Sequence, residues 1–226
     1  MEIVWLPEDE PLAAQLRSLS AAAAERLQLA RLLGGLTLCL DDIAADERIW
    51  LTAAPPARRS EEGERPRLTL YFHPDQFLQD RAPMGPSSPS LRPWELARPP
   101  AAGGGAPAVF SLRKAERILY HQFLLVRDLC DGTVDPRRVP RALAEAFQEA
   151  WAVTLDGRLR RQMLPGFSLA ERRRRFFRVF SAGGVLLPQH WQIFHALWES
   201  EDVEQEGLLD LLKRLPAVRL TGRFGA

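Results

Sequence analysis

A single histidine on a strongly apolar segment is the residue in this sequence best placed for chemistry. Residues 118–126 are apolar almost throughout, which is typical of a helix buried on all sides. His121 and Gln122 lie in the middle of this segment. A buried polar side chain needs a partner, because an unpaired group costs about 1–3 kcal/mol. His121 is therefore either a core histidine bonded to a carbonyl group or part of a functional site.

Carboxylates on the following helical segment supply a second set of chemically useful groups. Glu145, Glu149 and Asp156 lie four and seven residues apart, so they share one face of a helix. Imidazole and carboxylate groups are the ligand types of catalytic zinc sites. The predicted order of a helix, a small sheet, a central buried helix with a histidine and then a helix with carboxylates resembles the layout of zincin metallopeptidases.

At these residues the sequence resembles a family of bacterial zincin-like proteins, over roughly residues 110 to 180. Members carry His-Glu-x-x-His on the central helix, often followed closely by an acidic residue. Downstream they carry Trp-x-x-x-Ile-Asp-Gly-Arg-Leu. The matching segments here are 119–128, Leu-Tyr-His-Gln-Phe-Leu-Leu-Val-Arg-Asp, and 149–159, Glu-Ala-Trp-Ala-Val-Thr-Leu-Asp-Gly-Arg-Leu.

Two of the three defining positions of the first motif differ in this chain. In the family motif, histidines one turn apart hold zinc and the glutamate is the general base. Here Gln122 cannot take a proton and Leu125 cannot bind metal. The resemblance implies that Glu149 or Asp156 would be the third ligand.

The two changes are of the kind expected together if the metal was lost. They suggest that the former metal site has become part of the protein core. Without zinc, a glutamate at position 122 would be a buried unpaired charge, and the neutral Gln122 and Leu125 avoid that cost. We therefore predict a scaffold or binding protein that holds no metal or other cofactor and has lost peptidase chemistry. A cleft lined by His121, Gln122, Glu149 and Asp156 would bind an unidentified protein or peptide partner. Arg158 would pair with Asp156 or Glu149.

A metal-dependent hydrolase is the first alternative hypothesis. It needs an unusual zinc site in which His190 or His195 folds back to replace the missing second histidine. Metal content and the effect of His121→Ala separate this hypothesis from the scaffold.

Anion binding through the arginine-rich segment 158–178 is the second alternative. Arg172, Arg173, Arg174 and Arg175 are consecutive, and phenylalanines are interleaved with the arginines. Such a patch would suit nucleic acid or an acidic partner. An acidic run downstream could instead neutralise it within the chain: Glu199, Glu201, Asp202, Glu204, Glu206 and Asp210. Because the net charge is only +1, nucleic-acid binding is the less favoured hypothesis.

Composition excludes several classes of protein. With 46% apolar and 26% charged residues in 226 positions, the chain is neither disordered nor a disulfide-stapled toxin. No apolar run reaches the roughly 20 residues that span a bilayer, and we expect no membrane association. The N-terminus has no signal-peptide pattern. Cys39 and Cys130 are predicted to be buried free thiols in a reducing bacterial cytoplasm.

The apolar spacing and the capping signals predict strands first and helices afterwards. Expected strands are Leu36–Leu40, Arg48–Thr52, Arg67–Phe72 and a short edge strand at Ile3–Leu6, with a hairpin loop at Pro55–Pro66. Expected helices are Pro11–Leu33, Ser111 to about Leu129, Val139–Met163 with a break near Gly157, Ser168–Phe180, Pro188–Trp198 and Gly207–Leu215.

This order of elements predicts a single α+β domain, spanning residues 1–226. It would be zincin-like: an N-terminal helix, a sheet of three or four strands, a buried central helix and a helical C-terminal half. Residues 79–108 hold seven prolines and three consecutive glycines, so they form a disordered loop or a functional flap.

Overall fold

The computed structural model describes residues 1–8, 10–41, 65–79, 109–181 and 187–215. Three strands and six α-helices follow one another along these residues. In chain order they are β1 (Glu2–Leu6), α1 (Pro11–Arg26), β2 (Gly35–Leu40), β3 (Arg67–Phe72), α2 (Leu112–Asp131), α3 (Ala144–Arg161), α4 (Leu169–Phe180), α5 (Pro188–Glu199) and α6 (Gln205–Arg214). The predicted α+β class is confirmed.

The sheet is parallel across its three described strands, in the order β1-β2-β3. Because side chains alternate along a strand, β3 buries Leu68, Leu70 and Phe72 and exposes the residues between them. The predicted edge strand at the N-terminus is present as β1. The predicted strand 48–52 lies outside the described residues, as do most of the predicted hairpin loop 55–66 and most of the 79–108 segment.

The first helix ends earlier than its apolar spacing predicts. α1 stops at Arg26, and Gln28 then adopts a left-handed conformation with φ of 58°. A 3₁₀ turn over Leu29–Arg31 carries the chain on to β2. Leu27, Leu29 and Leu33 are all buried, so the apolar pattern continues although the helix does not. The predicted end at Leu33 was wrong for this reason.

Capping residues fix the starts of two helices as predicted. The Ser111 hydroxyl accepts a hydrogen bond from the Lys114 backbone N–H at the start of α2. Ser168 and Glu171 form a reciprocal capping box at the start of α4. Gly132, with φ of 84°, ends α2 in the left-handed conformation that glycine adopts without strain. The sequence thus places these ends within a residue or two.

Helix α3 lies at the centre of the helical half and packs against α2, α4, α5 and α6. It is preceded by a 3₁₀ turn at Arg141–Leu143 and runs unbroken through Gly157. The predicted break there was wrong, because Gly157 has a packing role. A Cβ atom on Gly157 would lie 2.1 Å from the backbone oxygen of Trp198, so α3 and α5 meet at a distance that only glycine allows.

The core is continuous from the sheet to the last helix. Trp5, Phe72 and Phe77 pack together beneath α1 and α2, and Phe176 and Phe194 join α4 to α5. Among the described residues, no helix has the length and apolar character needed to cross a bilayer.

Candidate functional site

His121 lies in a buried polar cluster between α2, α3 and α4. Its side chain projects from α2, and 7% of the residue is exposed. Its Nδ1 atom is 3.1 Å from Oδ1 of Asp156, a fully buried residue of α3. The same carboxylate oxygen accepts a hydrogen bond of 3.0 Å from the backbone N–H of Phe167. The sequence placed His121 and Asp156 along one predicted cleft, and the structure brings the two side chains into direct contact.

Arg172 of α4 completes this cluster. Its Nε donates to Oδ2 of Asp156. Its Nη2 lies 3.3 Å from Nε2 and 3.4 Å from Nδ1 of His121. Its Nη1 is 3.8 Å from Oε1 of Glu149. Only 2% of Arg172 is exposed, so a guanidinium cation is buried among groups that the sequence suggested as metal ligands.

The electrostatics of the cluster follow from this buried cation. Burial alone would raise the pKa of Asp156, but Arg172 and His121 lower it to about 2. Burial lowers the pKa of His121, and Arg172 lowers it further against the opposing effect of Asp156. At neutral pH the cluster therefore holds an ionised Asp156, a neutral His121 and a charged Arg172.

The neutral ring of His121 is fully engaged in this arrangement. A proton on Nδ1 is donated to Asp156, and Nε2 faces the guanidinium N–H group. Both ring nitrogens therefore have partners within the chain. A metal ligand or a general base needs a nitrogen lone pair that can reach a metal or a substrate, and the buried ring of His121 has the Arg172 cation against it instead.

Three guanidinium groups lie close to the aromatic ring of Phe167. The Cζ atoms of Arg117, Arg172 and Arg175 lie 5.0, 4.6 and 4.8 Å from its centroid. The ring of His121 meets Phe167 edge to face at 5.4 Å. Cations are attracted to the face of an aromatic ring at these distances. Phe167 is a member of the cluster that the sequence did not reveal.

Asp128 forms a second buried polar cluster on the same pair of helices. Trp151 donates from Nε1 to Oδ2 of Asp128 at 3.0 Å, and Arg158 donates two hydrogen bonds to the same carboxylate. Burial raises the pKa of Asp128 while Arg158 and Trp151 act against that shift. The predicted pairing of Arg158 with Asp156 or Glu149 was wrong. Residues two apart on a helix point to different sides, whereas Trp151 and Arg158, seven apart, share a face.

The segment 151–159 therefore has a structural explanation. Trp151 and Arg158 bind Asp128 on α2, Asp156 binds the His121 cluster, and Gly157 admits α5. The sequence did offer one signal, the seven-residue spacing that places Trp151 and Arg158 on one face of α3. That this face meets Asp128 follows only from the packing of α3 against α2.

Zinc does not fit the residues at this site. Leu125, one turn after His121, is buried in the apolar core, and Gln122 beside it is half-buried. Oδ1 of Asp156 already accepts from Phe167, and the cation beside the carboxylate is Arg172. No group of three or more potential ligands among histidine, cysteine and acidic residues occurs in the described part of the chain.

The two late histidines of α5 have other partners. His190 is buried, and its Nδ1 accepts from the backbone N–H of Leu187 at 3.1 Å, near the start of the helix. His195 is exposed and accepts a hydrogen bond of 3.0 Å from Arg173. The first contact lies at the start of α5 and the second joins α5 to α4. Among the described residues, no hydrogen bond links either histidine to His121.

The four consecutive arginines of α4 do not share a surface. Arg172 is buried, Arg173 contacts His195 and lies over Trp191, Arg174 is exposed, and Arg175 lies over Phe167. Successive helical residues are about 100° apart, so this divergence is expected. Two members of the downstream acidic run form ion pairs elsewhere, Glu206 with Arg138 and Asp210 with Lys213. Among the described ion pairs, none joins this acidic run to the four arginines.

Both cysteines are free, as expected, but half-buried rather than buried. Burial raises the pKa of Cys39, and it raises that of Cys130 to about 11. Neither thiol is therefore an activated nucleophile at neutral pH.

Comparison of this chain with known protein families, characterised proteins and solved structures gave no match. The likeness to zincin-like proteins consequently rests on segments 119–128 and 149–159 alone.

Proposed function

We propose that this protein is a catalytically inactive, zincin-like scaffold that binds a protein or peptide partner in the bacterial cytoplasm. The observation that supports this most is the closed cluster of His121, Asp156 and Arg172. The residues that the resemblance suggests as metal ligands bind one another instead and join α2, α3 and α4.

Peptidase chemistry of the zincin type would need groups that this site lacks. A catalytic zinc takes three protein ligands and keeps an open position for water. His121 contacts Asp156 and the guanidinium group of Arg172, and position 125 carries a leucine. Gln122 can orient a water molecule but cannot act as a general base. The site is therefore suited to holding the fold together.

Anion binding by segment 158–178 has less support. Arg158 and Arg172 form ion pairs with buried carboxylates, and Arg161 donates to the backbone oxygens of Trp198 and Ser200. Nucleic-acid binding requires several basic side chains on one accessible surface. An electrophoretic shift assay at low salt, where phosphate contacts are strongest, is expected to show no binding.

Metal analysis tests the proposed function directly. Tag-free protein is measured by inductively coupled plasma mass spectrometry before and after dialysis against zinc, and assayed on unstructured peptide substrates with and without a chelator. We expect a zinc content near zero in both samples and no hydrolysis. His121→Ala should lower the melting temperature, and it should hydrolyse the peptide substrates no differently from the unmodified protein. About one zinc per chain, with chelator-sensitive hydrolysis, would contradict the proposal and favour the metal-dependent hydrolase.

A further inference from the structure

We propose that Asp156, His121, Glu149 and Phe167 form a guanidinium-binding pocket that the chain fills with its own Arg172. The ligand class is a planar guanidinium cation, and a metal ion or a simple ammonium group does not meet the same contacts. The inference rests on the proposed function for the inactive character of the site and deepens it by naming what the site holds.

The contacts around Arg172 match the shape of a guanidinium group on every side. Nε meets Oδ2 of Asp156, Nη2 meets the imidazole of His121, and Nη1 points toward Glu149 at 3.8 Å. The ring of Phe167 lies 4.6 Å from Cζ. A planar cation with donors along its edge and an aromatic ring against its face is the geometry that distinguishes arginine from lysine.

The charges of the pocket require a cation at this position. Asp156 is fully buried, and Glu149 is 13% exposed at its side chain. Without Arg172, the carboxylate of Asp156 would keep a hydrogen bond from Phe167 and one from His121. Its charge, however, would have no buried counter-ion. A pocket with that charge and shape should accept a free guanidinium ion.

The test is chemical rescue of Arg172→Ala. Thermal unfolding of this variant is followed with added methylguanidinium, with urea as the neutral planar analogue, with ethylammonium as the non-planar cation and with zinc. All additives are used far below concentrations that unfold proteins. Arg174→Ala is the matched control, because Arg174 is an exposed arginine of the same helix. Arg172→Ala should lower the melting temperature by roughly 10 °C, since it leaves a buried charge unpaired.

Methylguanidinium should restore a substantial part of this loss in Arg172→Ala and should not change Arg174→Ala or the unmodified protein. No rescue, or equal rescue by urea or ethylammonium, would overturn the inference. Rescue by zinc alone would overturn it too, because the pocket would then prefer a metal ion.

Arg172→Lys keeps the inference testable if the alanine variant does not fold. Lysine retains the charge and loses the planar donor group, so we expect a clear drop in melting temperature. A lysine variant as stable as the unmodified protein would show that a point charge suffices and would overturn the inference. Zinc bound by the unmodified protein would instead defeat the proposed function, so the two failures are distinguishable.

Discussion

Single arginines carry much of the internal polar structure of this protein. Arg158 pairs with Asp128, Arg161 binds backbone oxygens at the end of α5, and Arg172 pairs with Asp156. Each guanidinium offers several donors in one plane, so one side chain can satisfy two acceptors at once. The role of each arginine depends on the side of the helix from which it projects. The large number of arginines in this segment does not determine it.

Arg158→Ala is expected to destabilise the fold by about 3 kcal/mol, because it leaves the buried Asp128 carboxylate without its counter-ion. Arg160→Ala, two residues along the same helix and exposed, should change the unfolding free energy by less than about 0.5 kcal/mol. Urea denaturation of both variants measures the difference. Equal effects would show that the Arg158–Asp128 pair contributes no more than a surface charge.

The sequence predicted some of these residues and missed others for a physical reason. The buried position of His121 follows from the apolar residues on either side of it. Its direct contact with Asp156 is more specific than the shared cleft that the sequence suggested. Arg172 could not be recognised as buried, because four consecutive arginines point to all sides of a helix and are identical in type. Only the packing of α4 against α2 and α3 decides which of the four points inward.

Among the secondary-structure elements, α3 has the greatest influence on the fold. It contacts four other helices, and its successive residues face different neighbours: Asp156 faces the His121 cluster, Gly157 faces α5 and Arg158 faces α2. Arg161, one turn on, donates to the backbone oxygen of Trp198 at 2.5 Å. This contact satisfies a carbonyl that the end of α5 would otherwise leave unpaired.

Gly157→Ala tests this packing. The added methyl group would lie 2.1 Å from the Trp198 oxygen, so α3 and α5 would have to move apart. We expect a loss of about 3 kcal/mol or more, at the upper end of overpacking penalties. Gly207→Ala is the control, since nothing lies within 4 Å of a Cβ atom at that position. Because alanine favours a helix more than glycine does, this variant should be more stable by about 0.5–1 kcal/mol. Chemical denaturation measures the unfolding free energy of both variants. A Gly157→Ala variant as stable as the unmodified protein would contradict the close approach of α3 and α5.

The elements themselves were more predictable than their ends. Helices α2 and α4 begin at serine caps that the sequence displays, so their starts were predicted closely. α1 ends where Gln28 turns left-handed, and no sequence signal marks that position, because the buried leucines continue beyond it. The parallel pairing of β1, β2 and β3 was not predicted either, since pairing depends on the path of the connections between strands.

At the scale of the molecule, the described residues include two ion pairs in the interior as well as several on the surface. The net charge is +1, yet the boundary between α2, α3 and α4 holds two buried carboxylates, each matched by an arginine. A fold organised in this way depends on the protonation states of a few buried groups. Its stability should therefore respond to pH at values set by those groups.

The buried histidine predicts a specific loss of stability in mild acid. Because the pKa of His121 in the folded protein lies below its ordinary value of 6.5, the unfolded chain binds a proton on His121 before the folded chain does. The stabilisation is fully present above pH 6.5 and is lost as pH falls below it, by up to about 1.4 kcal/mol per pH unit. Asp156, whose pKa is about 2, contributes a separate loss only below about pH 4.

His121→Asn isolates this effect, because the asparagine amide can still donate to Asp156 and does not titrate. The free energy of unfolding is measured by urea denaturation from about pH 7.5 to about pH 4.5, a range that covers the loss from His121 and ends above the loss from Asp156. It should fall less steeply for His121→Asn than for the unmodified protein. His195→Asn, which alters an exposed histidine of α5, should keep the original slope. If His121→Asn and the unmodified protein lose stability in parallel, the neutral, buried state of His121 does not control the acid response. The closed cluster would then not hold the ring in the uncharged form on which its contact with Arg172 depends.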